Sequence, residues 1–205
     1  MQHRLAEVSG RDVSRETFER IERYKALLLK EAERQNLISR ATFGELDERH
    51  IVDGAQLLRH APSLEAHWLD VGSGAGLPGI VLAILHPGPV TLVEPRRLRA
   101  DFLTRVVEEL ALSNTTVIQK KIEQVTAAPS VITGRAVASV AKFLSLTEHL
   151  ADLSTIYVLP KGKKAREELE EAEKSWQGRF ELVPSATDEE ASILIAGKVR
   201  RKGGR

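Results

Sequence analysis

The 205-residue chain contains no cysteine. That excludes a disulfide framework, a thiolate metal site and any reaction that needs a sulfur nucleophile. Aromatic residues are scarce, at 4%, so extensive stacking on single-stranded nucleic acid is not expected. Neither sign of charge dominates. With 30 basic and 29 acidic residues the net charge is +1, so global charge neither demands nor excludes an RNA partner and local distribution decides. No apolar run is long enough to span a bilayer, and the start, Met1-Gln2-His3-Arg4, shows no apolar signal region. A cytoplasmic protein without membrane contact is expected. The remaining composition is ordinary for a globular protein: 42% hydrophobic residues, in a length suited to one compact domain.

The most informative stretch is Asp70 to Gly79. The apolar run Trp68-Leu69-Asp70-Val71 predicts a short buried strand, Gly72, Gly74 and Gly76 follow, and Ile80 to Leu85 predicts a helix. Glycines let the backbone turn sharply and let a ligand approach the main chain. Pro78 suits the first turn of a helix. A strand, a glycine loop and a helix N-terminus make a nucleotide-type cofactor site. The spacing departs from the dinucleotide fingerprint G-x-G-x-x-G, because Leu77 stands where the third glycine belongs. This disfavours a nicotinamide-dependent oxidoreductase. Glu94 ends the next apolar run, 24 positions after Asp70, where a carboxylate on the neighbouring strand would meet a ribose diol. The plainer alternative is a tight turn in some other α/β protein.

The first dozen residues look poorly anchored. Ser14 caps a helix expected to reach about Gln35, with Phe18, Ile21, Tyr24 and Leu28 at helical spacing, and a second helix is expected from Glu45 to His60, ended by Pro62. Residues 1–62 therefore read as a helical extension and 63–205 as the core. Strands are expected at His67–Val71, Val90–Glu94, Thr116–Gln119, Val131–Thr133, Thr155–Leu159, Phe180–Pro184 and Ile193–Val199. Helices are expected at Gly79–Leu85, Arg97–Leu112, Val140–Leu150 and Ala165–Trp176. This alternation predicts an α/β fold with a seven-stranded, mainly parallel, doubly wound sheet.

Several short blocks carry a family resemblance over nearly the whole chain after residue 20. They are Asn36-Leu37-Ile38-Ser39, Arg49-His50-Ile51-Val52-Asp53 and Trp68 to Ile80, then Phe102-Leu103, Ile122-Glu123, Arg135-Ala136 with Ala138, and Pro160-Lys161-Gly162. In these the chain resembles the 16S ribosomal RNA guanine-N7 methyltransferases, the RsmG family, also called glucose-inhibited division protein B. The resemblance implies a class I (Rossmann-like) methyltransferase fold whose last strand is antiparallel. It implies S-adenosyl-L-methionine as cofactor, 16S ribosomal RNA or the small ribosomal subunit as partner, and a monomer. It places the glycine loop, with Asp70, Gly72, Gly74, Gly76 and Leu77, at the methionine part of the cofactor. Glu94 then faces the ribose, and Ile122 and Glu123 flank the adenine. Arg135 lies beside the methyl-donor end and the target base, while Asn36, His50, Asp53 and Lys161 line the rim near the RNA. Two departures stand outside the cofactor motif: Pro129-Ser130-Val131 where the family has an acid opening the fourth strand, and Arg97 where it tends to have lysine.

The residues fit that chemistry on their own terms. Methyl transfer from a sulfonium is an in-line displacement that needs alignment in a dry site. Guanine N7 has a free lone pair and no proton, so no general base is required. Cytosine-C5 methylation would need a thiolate, which this chain lacks. Exocyclic-amine methyltransferases often carry Asn/Asp-Pro-Pro-aromatic after the fourth strand, where this chain reads Thr133-Gly134-Arg135-Ala136. Arg135 follows an apolar strand at the ligand-binding edge of the sheet, where a guanidinium suits a phosphate, guanine O6 or a cofactor carboxylate; otherwise it is a surface arginine. His50 and Asp53 are three apart and share a helix face. They are either a structural hydrogen-bonded pair or a substrate-facing one, and two ligands without a third make no metal site. Lys161-Gly162-Lys163-Lys164 and the basic tail from Lys198 to Arg205 are candidate phosphate contacts, with Lys161 at the expected active edge. The competing functions are a small-molecule methyltransferase, which would not need the basic clusters, and a non-catalytic RNA-binding module.

Overall fold

The computed structural model describes residues 1–35, 37 and 44–203. Seven strands form one sheet: β1 Trp68–Val71, β2 Val90–Val93, β3 Thr115–Ile118, β4 Val131–Thr133, β5 Ile156–Lys161, β6 Trp176–Pro184 and β7 Ser192–Arg201. Their order is β3-β2-β1-β4-β5-β7-β6. β1 to β5 are mutually parallel, and β7 runs antiparallel to both β5 and β6. This is the seven-stranded class I methyltransferase plan. The order reverses between β1 and β4, so the crevice beyond their carboxyl ends is the topological switch point where α/β proteins bind ligands.

Both sheet faces are covered, so the central strands β1, β2 and β4 are buried along their whole length rather than alternately. Trp68 of β1, Leu92 of β2 and Val158 of β5 belong to one core with α4 (Gly79–Leu85) and α5 (Arg97–Glu109). Leu69, Ile132 and Leu159 belong to the other, with α6 (Val140–Thr147) and α7 (Ala165–Glu173). Neighbouring residues of a strand enter opposite cores because side chains alternate across a pleat.

The N-terminal helices complete the first core. α1 (Gln2–Ser9) buries Leu5 and Val8, and Gly10 ends it at φ +64°. Arg59 donates to the Val8 carbonyl at 2.8 Å and also to that of Glu7. The start of the chain is therefore anchored, contrary to the sequence expectation. The helix is short and weakly amphipathic, so its stability comes from docking. α2 (Arg15–Ala32) is capped as expected, Ser14 Oγ accepting from Thr17 N at 3.1 Å, and buries Ile21, Tyr24 and Leu28. The expected helix over 45–60 is irregular: a π-helical stretch, Asp47–Val52, leads into α3 (Asp53–Ala55) and a 3-10 stretch, Gln56–His60. Such wide turns often accompany functional sites.

Two boundaries move at the C-terminal end. α7 stops at Glu173, and Trp176, expected to end it, opens β6 instead. Trp176 is buried, and Arg201 of β7 lies over its ring at 4.7 Å, so the long β6–β7 ladder claims it.

Candidate functional site

The glycine loop leaves β1 at the switch point. Gly72, Gly74 and Gly76 all have positive φ, at +66°, +55° and +94°, a conformation costly for other residues. They do different jobs. A Cβ on Gly74 would meet nothing closer than 3.7 Å, so its face is open to a ligand. A Cβ on Gly76 would lie 2.6 Å from Ile80 and 3.0 Å from the Tyr24 hydroxyl. The missing Cβ of Gly76 therefore serves packing of the loop against Ile80 and Tyr24. The close helix–strand contact falls to Gly79. Its Cβ would strike Leu92 at 2.3 Å and Asp70 at 2.5 Å. Its N–H donates to Asp70 Oδ2 at 3.1 Å.

Asp70 is fully buried under the loop, and its Oδ1 has no hydrogen-bond partner among the described residues. Burial pushes its carboxyl up to about 7, against lowering contributions from Ser73, Gly79 and Arg135. Glu94 is buried too. Its Oε2 accepts from Gly74 N and its Oε1 from Arg96 N, each at 2.9 Å. The carboxylate thus shapes the loop from the neighbouring strand. A cleft of about 350 Å³ lies over this arrangement, lined by Gly72, Gly74, Leu77, Glu94, Arg99 and Arg135 among others.

Arg135 and Ala136 also line a second cleft of about 400 Å³, so the two share a wall. His50, Asp53 and Lys161 line this second cleft. The structure thus brings together Arg135 from beyond β4, Lys161 from the end of β5 and both residues of the wide-turn helix. Arg135 Nη1 donates to the Arg49 carbonyl at 3.0 Å and approaches Asp53 Oδ2 at 3.5 Å. Asp53 Oδ1 accepts from Gln56 at 2.8 Å and from Thr187 Oγ1 at 3.1 Å. Burial raises the Asp53 carboxyl above its usual range, and these contacts oppose it, Arg135 foremost. His50 is pushed down to about 4, by burial first and then by the charges of Arg135 and Arg49, so it is neutral at pH 7. Asp53 is therefore both a structural tie and a cleft residue, and the two readings of the sequence are not exclusive.

Lys161 does not fit the picture of a free phosphate hand. Its side chain is only 11% exposed, and its ammonium donates to Glu168 Oε2 and to the Ala138 carbonyl, each at 2.9 Å. Glu168 also accepts from Val140 N at 3.1 Å, tying the start of α6 to α7. The described part of the basic tail is remote. β7 is antiparallel, so Ile156 at the start of β5 pairs with Gly197, while Lys161 at its end pairs with Ser192. Residues 198–203 therefore lie at the sheet edge opposite the glycine loop, and Gly204 and Arg205 lie outside the described residues. Arg201 there is taken by Glu148 at 2.7 Å. A cleft of about 840 Å³ is at that same far edge and carries both Arg179 and Lys198 and both Glu173 and Glu181.

Ile122 is buried in the second core and Glu123 is exposed, and neither is among the described residues lining the glycine-loop cleft. Asn36 lies outside the described residues. Sequence reading missed Arg96 and Arg99, which line the first cleft, and Ser185, Thr187 and Asp188, which line the second. The arginines could have been found from their place just after Glu94. Nothing local signals the loop between β6 and β7, which reaches the site only because β6 and β7 form a hairpin beside β5.

Comparison with known proteins agrees with this geometry. The model of the family described as rRNA small subunit methyltransferase G matches residues 17–192. The ribosomal RNA small subunit methyltransferase G of Erythrobacter litoralis is 45% identical over 186 residues, covering 90% of this chain and 89% of that protein. That of Rhizorhabdus wittichii is 41% identical over 209 residues, covering 98% and 94%. Among solved structures, a SAM-dependent methyltransferase from Aquifex aeolicus superposes with a TM-score of 0.58 at 15% identity, over 78% of this chain and 98% of that one. A mutant of MtNAS in complex with S-adenosylmethionine gives 0.59 at 17%, over 87% and 74%. The fold is that of the class I methyltransferases, and by sequence the chain belongs to the rRNA small subunit methyltransferase G family.

Proposed function

We propose that this protein uses S-adenosyl-L-methionine to methylate N7 of a guanine in 16S ribosomal RNA, as a monomer in the cytoplasm. The carrying observation is the pair of clefts that meet at Arg135 and Ala136: one over the glycine loop, one open beside it. A cofactor and a base placed in them share a boundary, as a displacement requires.

The residues fit the cofactor. Gly74 offers an open backbone face, and Glu94 holds the Gly74 amide while keeping lone pairs for a diol. Arg96, Arg99 and Arg135 suit an amino-acid carboxylate. When bound, the cofactor supplies a methyl group on a sulfonium, made electrophilic by the positive sulfur. With the cofactor held there, a guanine in the second cleft would need only to be aligned, since its N7 carries a free lone pair and no proton that a side chain would have to remove. With its conjugate acid pushed down to about 4, His50 is a weak proton acceptor, which suits a step that needs no base. Arg135 is held by the Arg49 carbonyl and Asp53 through Nη1, which leaves Nε and Nη2 for guanine O6 or a phosphate. Lys161, fixed by Glu168, forms the far wall of the base cleft. Ile122 and Glu123 remain the proposed adenine neighbours on the family resemblance alone.

No helix among the described residues is long and apolar enough to cross a membrane. No group of three or more potential metal ligands occurs among them. The proposal is tested by offering the protein S-adenosylmethionine with unmethylated 16S ribosomal RNA or with a small molecule carrying an imidazole nitrogen. Transfer to the RNA alone is expected. Transfer only to the small molecule would favour the small-molecule reading, and RNA binding without transfer would favour the non-catalytic one.

A further inference from the structure

Tyr24 is fully buried in the middle of α2, more than forty residues before the glycine loop in sequence. Helical spacing assigns it to the core. Its hydroxyl does more, donating to the Ala75 carbonyl at 2.9 Å. The same oxygen is one of the three nearest atoms that a Cβ on Gly76 would meet, at 3.0 Å, beside Ile80 of α4 and Leu103 of α5. Atoms of α2, α4 and α5 thus converge on the loop at Gly76. On the open side, Gly74 N is held by Glu94.

From this we infer that Tyr24 is a positioning residue for cofactor binding, and that the N-terminal extension is a working part of the cofactor site. The hydroxyl fixes the Ala75 peptide and so sets the backbone face that the glycine loop presents. A phenyl ring could fill the same volume but could not hold the carbonyl. Without the hydroxyl, a buried acceptor loses its partner and the loop relaxes, which penalises the state that binds. The inference rests on reading this loop as the cofactor site.

Titration calorimetry of S-adenosylmethionine into wild type, Tyr24→Phe and Ile21→Val tests it. Ile21 lies on the same buried face of α2 and makes no loop contact through a polar atom, so it controls for stability loss. Tyr24→Phe is expected to weaken binding on the order of fivefold to tenfold, and Ile21→Val to leave it within about twofold. In turnover, KM for the cofactor should rise with kcat little changed. Hydrogen exchange on the wild type gives an independent reading: cofactor should slow exchange of the α2 amides around Tyr24. Wild-type affinity in Tyr24→Phe, or equal losses in both variants, would overturn the inference. So would α2 exchange indifferent to cofactor. If wild type itself binds no S-adenosylmethionine, the functional reading fails and takes this inference with it.

Discussion

Two carboxylates near the sheet edge, Glu94 and Asp70, act in different ways, and each predicts a different experiment. Glu94 accepts two backbone amides from the loop region. Glu94→Ala orphans those donors and removes an acceptor for the ribose, so cofactor affinity should fall by about 1–3 kcal/mol. A titration showing wild-type affinity would remove Glu94 from the site. Asp70 has a different signature. Its carboxyl rises from an ordinary 3.8 to about 7 on folding. Between those values the folded state holds a proton that the unfolded chain has released, so stability falls as pH rises through that window and levels above it. Asp70→Asn should flatten the decline in urea-midpoint series from pH 4 to 8. An unchanged profile would assign the pH dependence to other groups. Asp53, also raised, adds a smaller fall of the same sign.

Elements explain what the sequence could and could not disclose. The glycine loop was legible because strand, loop and helix are local, and each glycine marks a backbone that other residues resist. Gly74→Val should therefore abolish cofactor binding with the circular dichroism spectrum kept, since φ is +55° and the open face would be filled. Binding by this variant would place the cofactor elsewhere. The role of Gly79 was hidden, because only the approach of α4 to β1 and β2 shows that its missing Cβ matters. Lys161 was placed on the correct edge by its position after β5. Its neutralisation by Glu168 was invisible, because that pairing depends on how α7 returns over the sheet. Lys161→Ala should leave S-adenosylmethionine affinity intact and lower turnover on ribosomal RNA. Because Glu168 offsets its charge, the log–log salt slope of RNA binding should change by less than about one unit. Equal turnover across a salt series would make Lys161 structural. The anchoring of α1 was misjudged for a similar reason: Leu5 and Val8 are too few to announce a helix, and only the surface they cover reveals it.

At the scale of the molecule, one sheet sorts the chain's chemistry by edge. Parallel strands β1, β2, β4 and β5 deliver the glycine loop, Glu94, Arg135 and Lys161 to the same end, while antiparallel β7 carries the basic residues Lys198, Arg200 and Arg201 to the other. The N-terminal helices are continuous with the first core; they place Tyr24 beneath the glycine loop and His50 and Asp53 in the second cleft. The central claim is that these two clefts align a methyl donor with guanine N7. Its most direct measurement uses S-adenosylmethionine labelled in the methyl group and 16S ribosomal RNA from cells lacking this enzyme, free or in the small subunit. Borohydride and aniline then cleave the RNA at 7-methylguanine. One labelled site is expected, which is also the one new cleavage site, lost in Gly74→Val and strongly reduced in Arg135→Ala. Label in RNA without a matching cleavage, or full activity in Arg135→Ala, would contradict it.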